Sequence, residues 1–219
     1  MKALITGGSR GIGEAIVSKF LENSIEAIVP TRKELDLGNN NSIEEFLTKF
    51  NTPIDILINN AGINEISLLE NLSDSKIEDV LNINLVSPIK LIRNLLPLLK
   101  KSKNARIVNI SSIWSVVSKE GRSIYSISKS GLNALTRSLA LELGHIPVLV
   151  NTVAPGYVNT ELTQKNNTIA ELEKIRSLIP LKRLAGPEEV AEVVYFLSST
   201  QNTYLTGQVI IVDGGYTCR

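Results

Sequence analysis

The sequence has very few of the residues that bind metals or form disulfides. Its 219 residues include one cysteine, Cys218, and one histidine, His145. A lone cysteine cannot form an internal disulfide, and neither residue has the neighbours that a zinc or iron site needs. We therefore expect no bound metal, and we interpret His145 as a loop residue.

The sequence also lacks a charge imbalance and a long hydrophobic run. Its formal net charge is +1, which gives no field of the kind that attracts nucleic acid or an anionic membrane surface. No uncharged hydrophobic run reaches the roughly 18 residues of a membrane-spanning helix. The first apolar run, at residues 3–5, begins where the charged region of a signal peptide would lie. We expect a cytoplasmic protein that binds neither nucleic acid nor membranes.

What the chain does contain is a regular alternation of strand-like and helix-like segments. Strand-like runs occur at residues 3–5, 26–30, 54–58, 106–110, 148–153 and 208–212, with a short stub at 35–37. Helix-like runs occur at 13–23, 41–50, 73–100 with an interruption near Pro88, 123–143, and from Pro187 onward. This alternation predicts an α/β fold in which helices cover both faces of a parallel sheet. The length suits one domain over residues 1–219.

Two local patterns add detail to this outline. Asn41 or Ser42 is expected to cap the helix at 41–50, with acidic residues in its first turn. Residues 161–180 are polar and mixed in character, and we interpret them as a mobile lid.

A glycine-rich turn follows the first strand-like run. Its glycines are Gly7, Gly11 and Gly13, and an amphipathic helical run comes directly after them. Glycine permits positive φ and leaves no Cβ, so a ligand can approach the backbone closely. The free N–H groups and the dipole at a helix start favour a pyrophosphate. The alternative is a glycine turn that binds nothing.

Residues farther along the chain complete a pattern that resembles a known family. Tyr125 and Lys129 are four residues apart, which places both on one face of the predicted helix. Ser112 lies thirteen residues before Tyr125, and Asn84 lies 28 residues before Ser112. With the glycine spacing and the run Asn59-Asn60-Ala61-Gly62, this pattern resembles the short-chain dehydrogenase/reductase family in its single-domain form. The resemblance extends over the whole chain.

The resemblance implies a Rossmann-type, doubly wound parallel sheet and an oxidoreductase that uses a nicotinamide nucleotide. It assigns catalysis to Asn84, Ser112, Tyr125 and Lys129. Tyr125 would be the general acid and base, Lys129 would lower the pKa of the phenol, and Ser112 would donate to the substrate oxygen. Asn84 would hold a water of a proton relay. Asn82 is an alternative to Asn84, and Ser111 is an alternative to Ser112. The family pattern favours Asn84 and Ser112.

The resemblance also assigns the nucleotide-binding residues: Gly7, Ser9, Arg10, Gly11, Ile12, Gly13, Thr31, Arg32, Asp36, Leu37, Asn60, Ala61, Gly62, Tyr125, Lys129, Pro155, Gly156, Val158 and Thr160. NADP(H) is favoured because Arg10 and Arg32 suit a 2′-phosphate. NAD(H) stays open because Glu34 or Asp36 can accept from a ribose 2′-OH. Relatives usually carry a helix after the second strand, and here the gap is too short for one.

The substrate side is less specific. Among relatives, reductases of 3-oxoacyl thioesters share most of the overall pattern, and sugar or polyketide-type carbonyls are alternatives. Lys100, Lys101, Lys103 and Arg106 form a basic cluster that can meet an acidic carrier protein or can equally be a solvated helix end. Candidate substrate contacts are Trp114, Tyr157 and Leu162, although Trp114 can equally be a core residue.

Two other functions and an assembly state complete the predictions. A dinucleotide-binding sensor or scaffold without turnover is the main alternative, and the presence of both Tyr125 and Lys129 argues against it. Sugar-nucleotide epimerases or dehydratases usually need an additional substrate region. The resemblance implies a homotetramer or homodimer formed through the helices at 73–100 and 123–143 and the last strand.

Overall fold

The computed structural model describes residues 1–218, in which six parallel strands form one sheet. The strands are β1 (Lys2–Ile5), β2 (Glu26–Ile28), β3 (Ile56–Asn59), β4 (Ala105–Ile110), β5 (Val148–Pro155) and β6 (Val209–Val212). Their order is β2-β1-β3-β4-β5-β6, and every neighbouring pair is parallel. The order reverses between β1 and β3, so the sheet has the switch point of a Rossmann fold, as predicted.

Eight α-helices connect and cover the strands. They are α1 (Gly11–Glu22), α2 (Asn40–Lys49), α3 (Asp74–Leu81), α4 (Ser87–Leu99), α5 (Ser123–Leu143), α6 (Glu161–Lys165), α7 (Ile169–Leu178) and α8 (Pro187–Ser198). A π-helical turn, Asn82–Val86, separates α3 from α4 and accounts for the interruption predicted near Pro88. The predicted bounds of α5 and the start of α8 are confirmed. In the described part of the chain no helix is long and apolar enough to cross a membrane.

Successive residues of each strand enter two different hydrophobic cores, because side chains alternate across a sheet. On one face, Leu4 and Leu57 pack with residues of α2, α4 and α5. On the other face, Ile5 and Ile58 pack with residues of α1 and α8. Burial on both faces fixes the register of the central strands, and therefore fixes where their carboxyl ends meet.

The segment between β2 and α2 departs from the prediction. The short strand expected at residues 35–37 is absent, whereas the absence of a helix after β2 is confirmed for residues 29–39. Here the Asp36 backbone N–H donates to the Ser42 hydroxyl, 2.9 Å away, rather than to a neighbouring strand. Leu35 and Leu37 are nevertheless buried in the core. Their apolar character reflects packing from a loop, not pairing in a sheet.

The predicted cap of α2 was wrong. The cap is Asn39, whose Oδ1 accepts from the N–H groups of Asn41 and Ser42, and the first turn of the helix holds no acid. Residues 161–180, predicted to be a mobile lid, contain α6 and α7, and their mobility stays a prediction. Leu172 and Ile179 of this segment pack with Leu184 in a small separate core, so its polar sequence belongs to the outer faces of two short helices.

Replacement of Leu37 tests whether the loop after β2 is a packed part of the core. Leu37→Ala removes a side chain that is 8% exposed, and we expect it to lower the free energy of unfolding by about 2–4 kcal/mol. Leu21→Ala is the matched control, since Leu21 is 58% exposed and the change should stay within about 0.5 kcal/mol. Urea denaturation measures both. Equal stabilities of the two variants would contradict a packed loop.

Candidate active site

The glycine turn connects β1 to α1 and leaves the start of that helix uncapped. Gly7 and Gly11 have φ of +66° and +56°, so both need glycine's freedom. Arg10 is the N-cap residue of α1, and its side chain makes no capping hydrogen bond. The first-turn N–H groups are therefore left for a ligand, in a geometry that suits phosphate oxygens. The side chains of Ser9 and Arg10 are exposed beside them.

Hydrogen bonds attach the segment after β3 to this turn. The Thr6 hydroxyl accepts from the N–H groups of Asn60 and Ala61 at 3.1 and 3.2 Å. In return, Asn60 Nδ2 donates to the carbonyls of Thr6 and Gly7 at 3.0 and 2.9 Å. A Cβ at Gly7 would lie 2.9 Å from Ala61 Cα, so the two backbones touch. The predicted residues Asn60, Ala61 and Gly62 are thus brought against the glycine turn.

Asn84 links this segment to α5. The π-helical turn places its carboxamide against Ile63, where Oδ1 accepts from the N–H and Nδ2 donates to the carbonyl, both at 2.8 Å. Nδ2 also donates to the Ser128 hydroxyl at 3.1 Å. A Cβ at Gly62 would lie 3.2 Å from Asn84 Oδ1 and 3.4 Å from Lys129 Nζ. The competing Asn82 makes none of these contacts. π-turns occur often at functional sites.

Ser112, Tyr125 and Lys129 meet at the carboxyl end of β4. Ser112 and Tyr125 line the same cleft, and the Ser112 side chain acts on the Tyr125 hydroxyl to favour the phenolate. Lys129 Nζ donates to the Ile110 carbonyl at 2.7 Å and lies 5.7 Å from the centroid of the Tyr125 ring. The competing Ser111 donates instead to the Lys129 carbonyl at 3.1 Å. The structure therefore brings together the serine, tyrosine and lysine that the spacing predicted.

The electrostatics of the tyrosine differ from the prediction. Burial raises the pKa of the Tyr125 hydroxyl above its ordinary value, and the Ser112 side chain and the Arg122 cation oppose this only in part. The ammonium that was predicted to lower it belongs to Lys129, which is directed at the Ile110 carbonyl. Burial lowers the pKa of Lys129 to about 8. The nearby cation that favours the phenolate is therefore Arg122.

These side chains line a cleft of about 210 Å³ at the carboxyl ends of the strands. Ten of the predicted site residues line it: Ile12, Asn60, Gly62, Ser112, Tyr125, Lys129, Pro155, Gly156, Val158 and Thr160. The last four come from the end of β5 and the segment that follows it. This segment returns to the glycine turn, where a Cβ at Gly11 would lie 3.3 Å from Thr160 Cγ2. The cleft thus runs from the uncapped start of α1 to the tyrosine.

Comparison with known proteins agrees with this geometry. A family model described as enoyl-(acyl carrier protein) reductase matches residues 18–217. The 3-oxoacyl-(acyl-carrier-protein) reductase FabG of Buchnera aphidicola subsp. Acyrthosiphon pisum is 38% identical, over 97% of this chain and 96% of the relative. The FabG of Chlamydia pneumoniae is 35% identical, over 99% and 96%.

Solved structures extend the match to the whole fold. A 4-hydroxyisoleucine dehydrogenase complexed with NADH superposes with a TM-score of 0.94 at 31% identity, over 100% of this chain and 99% of the other. A short chain dehydrogenase family protein from Francisella tularensis subsp. tularensis SCHU S4 gives 0.90 at 31%, over 100% and 99%. The chain belongs to the short-chain dehydrogenase/reductase family. It is an oxidoreductase that acts on CH–OH groups.

In this short-chain dehydrogenase/reductase, four predicted nucleotide contacts lie outside the cleft: Thr31, Arg32, Asp36 and Leu37. Arg32 Nε forms an exposed ion pair with Asp36 Oδ2 at 3.3 Å. Glu34 is occupied by Thr31, whose N–H and hydroxyl both donate to its carboxylate at 2.8 Å. The end of β2 adjoins the glycine turn, since a Cβ at Gly8 would lie 2.7 Å from Val29 Cγ1. Leu37 is buried, and its carbonyl accepts from Ser87.

Seven further predicted residues do not line the cleft but lie around it. They are Gly7, Ser9, Arg10, Gly11, Gly13, Ala61 and Asn84. The three candidate substrate contacts, Trp114, Tyr157 and Leu162, do line it. The Trp114 and Tyr157 rings pack edge to face, with centroids 5.9 Å apart. Trp114 is therefore both well packed and part of the cleft wall.

Among the cleft residues that were not found from the sequence, two are polar residues with unpartnered atoms, Arg122 and Asn64. Arg122 lies three residues before Tyr125, next to the start of a predicted helix. This short distance along the chain is the sequence feature that could have placed Arg122 near the site. Asn64 follows the Asn-Ala-Gly run in a loop without periodicity, so no pattern pointed to it. Buried polar atoms of both residues have no hydrogen-bond partner.

The basic cluster also needs correction. Lys100, Lys101 and Lys103 are exposed, but Arg106 is only 5% exposed and donates to the carbonyls of Ala105 and Asn202. This region lies at the amino end of β4, across the sheet from the cleft. Among residues 1–218 there is no group of three or more side chains that could hold a metal ion.

The pKa of Lys129 predicts how stability depends on pH. The folded chain releases this proton near pH 8 and the unfolded chain near the ordinary value of 10.5. Stability attributable to Lys129 therefore rises between pH 8 and 10.5, because the unfolded state binds more protons in that window. Relative to Lys129→Met, wild type should gain about 2 kcal/mol from pH 7 to pH 10. Urea unfolding of both proteins across this range measures the difference, and a constant difference would contradict the lowered pKa.

Proposed function

We propose that this protein interconverts a carbonyl and a secondary alcohol with a nicotinamide dinucleotide, and that Tyr125 is the general acid and base. The observation that carries the proposal is that Ser112, Tyr125 and Lys129 line one cleft, which begins at an uncapped helix start. One continuous cleft would then hold both reactants. This supports the prediction of a single domain over residues 1–219.

The residues at the two ends of the cleft fit a nicotinamide dinucleotide. The uncapped N–H groups at Gly11, Ile12 and Gly13 fit its pyrophosphate. Gly62 leaves open space next to Lys129 Nζ, and Lys129 fits the hydroxyls of the nicotinamide ribose. The segment Pro155–Thr160 flanks the same end. When bound, the nucleotide supplies the hydride for reduction or accepts it in oxidation. The solved 4-hydroxyisoleucine dehydrogenase with NADH supports this cofactor class.

The chain itself orients the substrate and moves the proton. Ser112 donates to the substrate oxygen and fixes it next to Tyr125. Tyr125 gives its hydroxyl proton to the carbonyl oxygen in reduction and takes it from the alcohol in oxidation. Lys129, with a pKa of about 8, can exchange a proton near neutral pH. Asn84 acts as a positioning residue, since it holds Ile63 and, through Ser128, the backbone of Tyr125.

We propose NADP(H) over NAD(H). Arg10 and Arg32 are exposed cations beside the turn and the end of β2, and a guanidinium suits a 2′-phosphate. The Arg32–Asp36 pair is exposed and therefore weak, so a phosphate can replace the carboxylate. Glu34 already accepts two hydrogen bonds from Thr31, which makes it a poorer partner for a ribose hydroxyl.

The substrate we propose contains a 3-oxoacyl or similar short oxo group. The relatives' names point to a 3-oxoacyl group carried as a thioester. Two further solved structures of 4-hydroxyisoleucine dehydrogenase are complexed with NADH and succinate, a dicarboxylate. The exposed lysines are on the far side of the sheet from the cleft, so a carrier protein bound there would not reach Tyr125. A free acid and a thioester are both compatible with the catalytic residues.

A non-catalytic sensor is the alternative function for this fold, but the joint placement of Ser112, Tyr125 and Lys129 in one cleft favours turnover.

We also propose a homodimer or homotetramer. Its support is the exposed apolar side chains on the predicted contact elements, namely Ile89 of α4, Ile127 and Leu141 of α5, and Ile211 of β6.

Tyr125→Phe tests the catalytic assignment. We expect kcat to fall on the order of 10³-fold, because the proton donor is lost while the ring remains. Nucleotide affinity should stay within about 3-fold, since no predicted nucleotide contact depends on the hydroxyl alone. Tyr204→Phe is the control, because Tyr204 is 95% exposed. Carbonyl reduction is followed by absorbance of the reduced nucleotide, and undiminished turnover in Tyr125→Phe would refute Tyr125 as the acid.

Arg32→Ala tests the cofactor preference. We expect NADPH affinity to weaken on the order of 10-fold, since a charge-assisted hydrogen bond is lost, while NADH affinity is unchanged. Lys33→Ala, the exposed neighbour, is the matched control. Fluorescence titration of each protein with both nucleotides provides the measurement. Tighter binding of NADH than of NADPH by wild type would overturn the preference and direct attention to Glu34 or Asp36.

A further inference from the structure

Arg122 is a buried cation that faces the cleft. It is 7% exposed and lines the cleft beside Tyr125. Its Nε and Nη1 atoms are buried and have no hydrogen-bond partner. None of the ion pairs within residues 1–218 includes it. Buried guanidinium groups are ordinarily paired, because desolvation of an unpaired charge is costly.

Within residues 1–218, the groups that act on Arg122 carry no negative charge. Burial lowers its pKa, and the groups that act in the opposite direction are the hydroxyls of Tyr157 and Tyr125. A phenol with a raised pKa is neutral near pH 7, and the pKa values of both tyrosines are raised by burial. As far as the described residues extend, the cleft therefore holds an uncompensated positive charge next to the reacting hydroxyl.

The remaining wall at this end suits a small anionic molecule. Trp114 and Tyr157 provide two aromatic faces. Lys119 adds an exposed cation at the rim, with Nζ 5.9 and 6.0 Å from these ring centroids and 3.4 Å from the Tyr157 hydroxyl. Asn64 contributes a buried Oδ1 without a partner, which can accept from a ligand hydroxyl.

We propose that Arg122 binds a carboxylate of the substrate, and that the substrate is a short oxo acid or the corresponding hydroxy acid. A guanidinium can donate two parallel N–H bonds to the two carboxylate oxygens, from Nε and Nη2 or from Nη1 and Nη2. Each of these edges includes one of the two unpartnered atoms of Arg122. Arg122 and Tyr125 line the same cleft, so a short acid with one or two carbons between its carboxylate and its reacting carbon can contact both. An ester or thioester has no charge to offer at this position.

This proposal rests on the proposed function, and the redox step leaves the carboxylate unchanged. In oxidation, the hydroxy acid loses a hydride from its carbinol carbon to the oxidised nucleotide. Its hydroxyl proton passes to Tyr125, which accepts it in the phenolate form, and the oxo acid results. The role of Arg122 is to select the substrate and to place the carbinol carbon.

A binding experiment tests Arg122 without any turnover. Trp114 is the only tryptophan in the chain, so its fluorescence reports on the cleft wall. Wild type is titrated with 3-hydroxybutanoate and 4-hydroxypentanoate and with their methyl esters, with and without NADP⁺. We expect saturable binding of at least one acid, with its ester weaker on the order of 30-fold or more. Arg122→Gln should weaken the acid by a similar factor and leave the ester unchanged.

Control variants separate charge from folding. Arg137→Gln removes an exposed cation from α5, the helix that follows Arg122. This variant should leave the binding of the acids unchanged. Arg122→Lys keeps the charge and should recover part of the affinity. Circular dichroism and NADPH titration of Arg122→Gln verify that the variant folds. If acid and ester bind wild type equally well, or if Arg122→Gln weakens both to the same extent, the proposal is refuted.

Kinetics then separate this proposal from the proposed function. Wild type should oxidise the acid with a kcat/KM on the order of 30-fold above that of the ester, and Arg122→Gln should remove the preference mainly through KM. Turnover of esters or thioesters in preference to acids would support the oxidoreductase and overturn the carboxylate site. Arg122-dependent binding of the acids without turnover of any substrate would support the site and overturn the oxidoreductase.

Discussion

The hydrogen bonds between Thr6 and the Asn60–Ala61 backbone hold the site together. They join the end of β1 to the end of β3 where the strand order reverses. The glycine turn lies on one side of this junction. On the other side Gly62 leads to Asn84 and Lys129. Because the Thr6 hydroxyl also donates to the Ile58 carbonyl, one buried side chain satisfies three backbone groups. Loss of this junction would separate the helix start from the tyrosine, although neither would be changed itself.

The chemistry of the cleft follows from burial of three groups on and beside α5. Burial alone favours a neutral phenol at Tyr125 and a neutral amine at Lys129. The Ile110 carbonyl compensates Lys129 with a short hydrogen bond. Arg122 cannot release its proton near neutral pH, so it keeps its charge and works against the raised pKa of Tyr125. An anion bound at Arg122 would cancel this effect, which couples occupation of the substrate site to the acidity of the proton donor.

The sequence predicted those parts of the site whose signal is local. The periodicity of α5 places Tyr125 and Lys129 on one face, and a turn at the end of a strand identifies Ser112. The stub strand at 35–37 was predicted from the family resemblance of the segment that ends in Asp36-Leu37. Two leucines in a short segment can equally belong to a loop that packs on the core, as Leu35 and Leu37 do. Arg106 and Arg122 show the same limitation in another form. Nothing in the residue type or its neighbours indicates whether an arginine will be covered by other elements, since burial depends on contacts made far along the chain.

The two buried arginines differ in a way that follows from their positions in the sheet. Arg106 is at the amino end of β4, where its guanidinium donates to the carbonyls of Ala105 and Asn202 and so helps to close that edge of the fold. Arg122 is at the opposite edge, beyond the carboxyl ends of the strands, and its buried Nε and Nη1 atoms have no hydrogen-bond partner among residues 1–218. In an open α/β sheet the carboxyl edge is the one that binds ligands. A charge that the fold buries at the ligand edge and leaves without a partner is best explained by a partner that arrives with the substrate.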